Sequence, residues 1–243
     1  MKRWEKSKIS DDGTHHTLNG TPLYNLRFDL VMSFHEPGIA PVKKSERWFY
    51  IFADGSRVSN KYFDRAWGYY EGLAAVVKDG KAFHVLPNGV SAYDQRFSWV
   101  GNFKEGRCTV RDFNARYFHI LPDGNRLYSK TYAYAGDFYQ NAAVVQEDNG
   151  YHRHIDLSGN PIYKNLYEDL GVFHKGLAAA RDSAGWFHIN RDGKAIYSER
   201  YLSVEPFYNG RARVTKFDCS IIIIDEQGKI LDVIKKPKID PIL

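Results

Sequence analysis

Apolar residues come in short, strand-sized runs along this chain, separated by turn dipeptides. One stretch shows the order: Leu73-Ala74-Ala75-Val76-Val77 leads through Asp79-Gly80 into Ala82-Phe83-His84-Val85-Leu86, and Asn88-Gly89 precedes Val90 and Tyr93. Positions two apart share one face of a strand, and Asp-Gly and Asn-Gly favour the positive φ angles of tight hairpins. The pattern predicts strands over 73–78, 82–86, 90–93 and 97–103, joined as a small antiparallel meander. Asp54-Gly55, Asp123-Gly124, Asn149-Gly150 and Asp192-Gly193 repeat the turn signal. No useful helix is predicted, because the fourth segment is short and is broken at Gly101, Gly136, Gly171 and Pro206.

The meander recurs. A glycine stands at 20, 55, 89, 124, 159, 193 and 228, every gap being 34 or 35 residues. A second series runs Gly38, Gly72, Gly106, Asn141, Gly176 and Gly210, with Asn141 as the substitute expected where φ is positive. Two places after this second anchor the residue is always small: Ala40, Ala74, Cys108, Ala143, Ala178 or Ala212. Four places after it comes Val42, Val76, Val110, Val145, Ala180 or Val214, and an aromatic precedes it at Phe34, Tyr69, Phe103, Phe138, Phe173 and Phe207. Five places before the first anchor stand His15, Tyr50, His84, His119, His154, His188 and Ile223.

These copies predict an all-β fold of seven tandem antiparallel units of about 35 residues. One such unit cannot cover both of its faces, so neighbours must cover one another. Both chain ends fall at one phase of the repeat, which favours a closed seven-bladed β-propeller, with an open β-solenoid as the alternative. Residues 1–243 then form a single repeat domain with units at about 3–37, 38–71, 72–105, 106–140, 141–175, 176–209 and 210–243.

Composition narrows the function classes. The two cysteines, Cys108 and Cys219, have neither disulfide density nor metal-ligand spacing. No apolar run is long enough to span a membrane, and the start of the chain lacks a signal-peptide pattern, so a cytoplasmic protein is expected, with non-classical secretion left open. A net charge of +5 is mild for this length. It suits weak attraction to anions rather than a dedicated nucleic-acid surface.

Gly72-Leu73-Ala74-Ala75-Val76-Val77-Lys78-Asp79-Gly80-Lys81, residues 185–194 (Gly-Trp-Phe-His-Ile-Asn-Arg-Asp-Gly-Lys) and Phe207 to Val214 resemble the bacterial WG (or KWG) repeat. In that family the core reads Trp-Gly-Tyr-Ile-Asp and then, two residues on, Gly-Lys. Trp48 and Trp186 take the Trp place here, while the following Gly has become Phe49, Phe83, Phe118 and Phe187 and the Tyr is usually His. The resemblance implies a bacterial repeat protein. In some members the repeats precede an enzyme domain such as a methyltransferase, and this chain would then be the accessory, non-enzymatic part.

No constellation demands catalysis. There is no Gly-x-Ser-x-Gly, no cysteine beside a histidine and no glycine-rich cofactor loop, so no enzyme activity and no cofactor are expected. The repeated histidines read as neutral hydrogen-bonding groups between units; His152 and His154, two apart on one strand, are a weak metal candidate. Cys108 reads as packing. Departures from the repeat carry the functional signal instead. Lys2, Arg3, Lys6 and Lys8 at one end, Lys235, Lys236 and Lys238 at the other, and Arg211 and Arg213 would form a basic seam in a closed ring, suited to an acidic partner. Trp67 and Trp99 could stack on sugar rings, although core packing is the plainer reading of both. The function expected is a monomeric, non-catalytic scaffold for protein–protein interaction, with an anionic ligand or a lectin-like, glycan- or small-ligand-binding role as the alternative.

Overall fold

The computed structural model describes residues 2–236, and Arg3 by its backbone alone. Seven small antiparallel sheets follow one another along the chain, six of three strands and the last of four. A 3-10 turn at Arg3–Lys6 is the sole helical element among the described residues. The chain divides into two compact units, Met1–Thr131 and Tyr132–Leu243. The first holds four sheets around Val42, Ile51, Val76, Val85, Val110 and Ile120. The second holds three around Ala180, Phe187, Ile189, Val214 and Ile224.

In every sheet after the first, the centre is a hairpin, closed by the predicted dipeptides Asp79-Gly80 and Asn149-Gly150 in the third and fifth sheets and by other turns elsewhere. Leu73–Lys78 pairs with Lys81–Val85 from Ala74↔Val85 to Lys78↔Lys81. The two expected outer strands are much shorter. Residues 90–93 supply only the Ser91 bridge to Val85. Phe97 exchanges two backbone hydrogen bonds with Ala82 behind it, and Trp99–Val100 then pairs with Arg111 and Val110 ahead. One short segment therefore completes one sheet and opens the next, which leaves it too few residues to be a full strand of either. Each sheet accordingly begins before the second-series glycine, whereas the repeat count placed its cuts at that glycine.

The recurring positions do what their residue types suggest. All seven first-series glycines that are resolved in their φ, from Gly20 to Gly228, have φ between 70° and 84°. Asn141 takes φ 61° in the place of the missing glycine. The small residues from Ala40 to Ala212 and the valines four after the anchor are buried.

The histidines fasten successive sheets. Nε2–H of His84 donates to the Gly101 carbonyl at 2.9 Å while its Nδ1 accepts from the Tyr93 hydroxyl. His154 binds Gly171 O at 2.9 Å and Tyr163 at 2.5 Å. His188 does the same with Glu205 O at 2.9 Å and Tyr197 at 2.5 Å. A carbonyl only accepts, so each ring is held as the neutral Nε2–H tautomer. In the second copy Tyr50 replaces the histidine, and its hydroxyl reaches the equivalent carbonyl, that of Trp67, at 2.8 Å. In the first copy the residue is His16, not His15 as spacing suggested. His16 is buried on Tyr24 and Met32 O, whereas His15 is half-buried. A loop one residue shorter between histidine and tyrosine accounts for the slip.

The tyrosine of this latch also explains the first glycine. Its ring lies over the glycine of the next copy, so that a Cβ on Gly193 would stand 2.5 Å from Tyr163 Cγ, and Gly124 meets Tyr93 in the same way. Gly72, with φ 81°, faces open space. Gly72→Ala therefore carries only the left-handed backbone cost of about 1 kcal/mol. Gly193→Ala adds the clash and should lose roughly 2 kcal/mol or more beyond that in denaturant unfolding.

Burial sets the protonation of the latch. It lowers the pKa of His84, His154 and His188 to about 4, and the accepting carbonyls only partly offset it. The unfolded chain binds these protons near pH 6.5 and the folded chain only near 4, so stability is fully present above 6.5 and drains away as pH falls between those values. Each histidine contributes on the order of 2–3 kcal/mol to that loss. Denaturant midpoints measured from pH 7 to 4 should fall steeply through this window, and His84→Phe should flatten the slope.

Candidate interaction surfaces

The basic residues of the proposed seam are placed as follows. Lys2 Nζ pairs with Glu36 Oε1 at 2.9 Å and lies over the Trp4 ring. Lys6 and Lys8 are exposed on the opening turn and first strand. Arg211 is exposed, and Arg213 meets Glu205 at 3.3 Å. Lys235 and Lys236 are exposed and make no ion pair among the described residues. The Arg3 side chain and Lys238 lie outside the described residues.

Lys235 ends the most unusual element of the chain. The strand Ile230–Lys235 is the fourth strand of the last sheet, paired through Ile222↔Val233 and Ile224↔Ile230 on one edge and without a strand partner on the other among the described residues. All six of its residues are exposed, Ile230, Leu231, Val233 and Ile234 by 44–56%. Phe217, also exposed, and Tyr201 line a recess of about 400 Å³ beside Ile230. Sequence reasoning noted this strand's lysines and overlooked its apolar side chains, since Ile-Leu-Asp-Val-Ile reads as core.

Trp67 and Trp99 are both surface residues, 37% and 43% exposed, against the core reading. The exposure follows from their neighbours in the segment that crosses between sheets. Ala66 and Val100 take the buried side of it, and Trp67 and Trp99 stand one place to either side. Trp99 lies near Tyr117, with ring centroids 6.4 Å apart. Trp67 lines a cleft of about 580 Å³ with Trp48, Leu30, Met32, Lys43, Glu46, Asp64 and Arg65.

His152 and His154 do share a strand face, but both ring nitrogens of His154 are spent in the latch and His152 Nδ1 lies 3.0 Å from Glu168 O. Cys108 is buried in its small-residue slot, its Sγ 3.8 Å from His84 Nε2. Among the described residues no group of His, Cys, Asp and Glu could hold a metal ion, and no helix is long and apolar enough to cross a membrane.

The residue before the latch position is a buried phenylalanine with an arginine lid. Arg57 covers Phe49 at 4.5 Å, Arg96 covers Phe83 and Arg126 covers Phe118 at 3.9 Å, and Arg200 covers Phe187 at 3.6 Å. The fifth copy has Arg153 there instead. Its Nε is 3.1 Å from Glu147 Oε1 but off the line of a hydrogen bond, and both side chains are largely buried.

These slots are the ones by which the repeat can be classified. Residues 17–48, 58–81 and 186–216 match the family described as WG containing repeat. Those three stretches carry WG repeats. In this chain the Gly of the signature has become the arginine-capped phenylalanine, and the Trp-Gly pair that does occur, Trp67-Gly68, belongs to the crossing segment. Gly68 is needed there because a Cβ would overlap the His35 ring. No curated protein matches the chain. Among solved structures it is similar to BamB from Moraxella catarrhalis, at 11% identity and TM-score 0.47, covering 98% of this chain and 87% of that one. The computationally designed Ika8 protein is similar at 13% identity and TM-score 0.46, over 93% and 82% of the two chains. Hsv2 of Kluyvelomyces marxianus is similar at 8% and 0.44, over 80% and 75%.

Proposed function

We propose that this chain is a non-catalytic scaffold that binds another protein by adding a partner strand to Ile230–Lys235. The observation that carries the reading is that the outer edge of that strand has no strand partner among the described residues. An unpaired edge offers a row of backbone donors and acceptors, and natural sheets usually blunt such edges with charge, proline or a bulge. Within this strand only Asp232 interrupts the apolar series before Lys235, and the register shifts at Leu231 and Ile234 blunt the edge only in part. Strand addition would take affinity from the backbone and specificity from alternate side chains.

Charge selects the partner. Lys229, Lys235 and Lys236 flank the apolar stretch and are exposed, so the complementary segment is extended, apolar at alternate positions and acidic at its ends. Rim charges of this kind steer association and respond to salt.

A peptide alternating Val and Thr between glutamates tests this. Bound to the full chain, it should slow amide hydrogen exchange over Ile230–Lys235. Lys235→Glu with Lys236→Glu should weaken it by roughly tenfold, and the same peptide ended in lysines should bind less well. Equal binding of the two peptides, or no change in exchange along the strand, overturns the reading.

A further inference from the structure

The cleft at Trp48 and Trp67 lies in the first compact unit, apart from the Ile230–Lys235 edge, and its walls come from two successive sheets. Leu30, Lys43 and Trp48 form one rung across the second sheet, through the pairs Leu30↔Lys43 and Lys43↔Trp48. Met32, two places beyond Leu30, extends the same wall. Asp64, Arg65 and Trp67 from the next crossing segment complete the lining.

Trp67 breaks the repeat at a place whose recurring hydrogen bond is made by the backbone. Its place is Gly101, Gly136 and Gly171 in three other copies, and the structural task of that place belongs to the backbone carbonyl, which in Trp67 accepts from Tyr50. The indole is therefore free of that duty and stands at the cleft with 37% of its surface exposed. Trp48 supplies a second, half-buried indole.

The charges in the cleft cancel. Lys43 Nζ is paired with Glu46 at 2.8 Å, and Asp64 and Arg65 are neighbours of opposite sign. A net cation or anion gains little from such a lining, whereas a neutral molecule with many hydroxyls meets both carboxylate acceptors and cationic donors. Flat aromatic faces suit the apolar C–H side of a sugar ring, and the volume of about 580 Å³ falls in the range of small-molecule sites. From this we infer that the Trp48–Trp67 cleft is a binding site for a neutral pyranose, either free or terminal on a polysaccharide.

Saturation-transfer NMR on the full chain tests the site, with methyl glucoside, methyl galactoside, N-acetylglucosamine and a soluble cello-oligosaccharide as probes. At least one should give saturable signals from its ring C–H protons, and preference for the oligosaccharide would assign the polymer as the source. Trp67→Gly, which installs the residue of the equivalent places, should weaken binding roughly tenfold or more. Phe113→Ala, at an exposed aromatic outside the cleft, should leave it unchanged. Tetramethylammonium and inorganic phosphate should not displace the sugar. The inference is overturned if none of the sugars binds, if Trp67→Gly binds as tightly as the parent, or if either ion displaces the sugar. Should Trp67→Gly not fold, Asp64→Ala takes its place: weakened binding supports the site, and unchanged binding overturns it.

Discussion

A neutral histidine held between a tyrosine hydroxyl and the carbonyl of the next sheet is the interaction on which the rest of this fold depends. Hairpins this short bury little by themselves, and the segment joining two sheets is only a few residues long. A rigid, directional bond from the middle of one sheet to the crossing segment of the next fixes their spacing. It also places the tyrosine ring over the following glycine, so one motif determines three recurring residues at once. Both polar ends are satisfied inside an apolar surround, where an unpaired group would cost about 1–3 kcal/mol.

Around this latch the aromatic residues form a continuous path. Tyr93 meets Phe97 edge to face, and Phe97 meets Phe118 of the next sheet. Tyr163, Tyr167 and Phe187 repeat the sequence in the second unit. Burial of the tyrosines keeps their hydroxyls protonated, with the pKa of Tyr93 and Tyr163 driven well above the usual value by desolvation. The arginine lids finish the path on its solvent side, which explains how phenylalanine replaced glycine in the signature without exposing an apolar ring.

Much of this was legible in the sequence because repetition amplifies weak signals. Positive φ at Gly20 through Gly228, the hairpin at Asp79-Gly80 and the buried small residue at Ala74 follow from residue type alone, and the neutral, bridging histidines follow from their recurrence. What was not legible depended on geometry between copies. His16 was missed because spacing cannot register a loop shortened by one residue. The division of Phe97 and Trp99 between two sheets was missed because one apolar run looks like one strand. At the surface, Trp67 was visible as an oddity but its partner Trp48 was not, since only folding brings residues of different copies to one cleft. The exposed apolar side chains of Ile230–Lys235 went unread because an apolar strand at an edge has the same composition as one in a core.

The histidine latch is tested most directly by side-chain nitrogen NMR of His84, His154 and His188 at neutral pH and on acidification. The structure predicts neutral rings protonated at Nε2, with no titration at the ordinary histidine value. Rings protonated at Nδ1, or titrating near pH 6.5 while the chain stays folded, would contradict it.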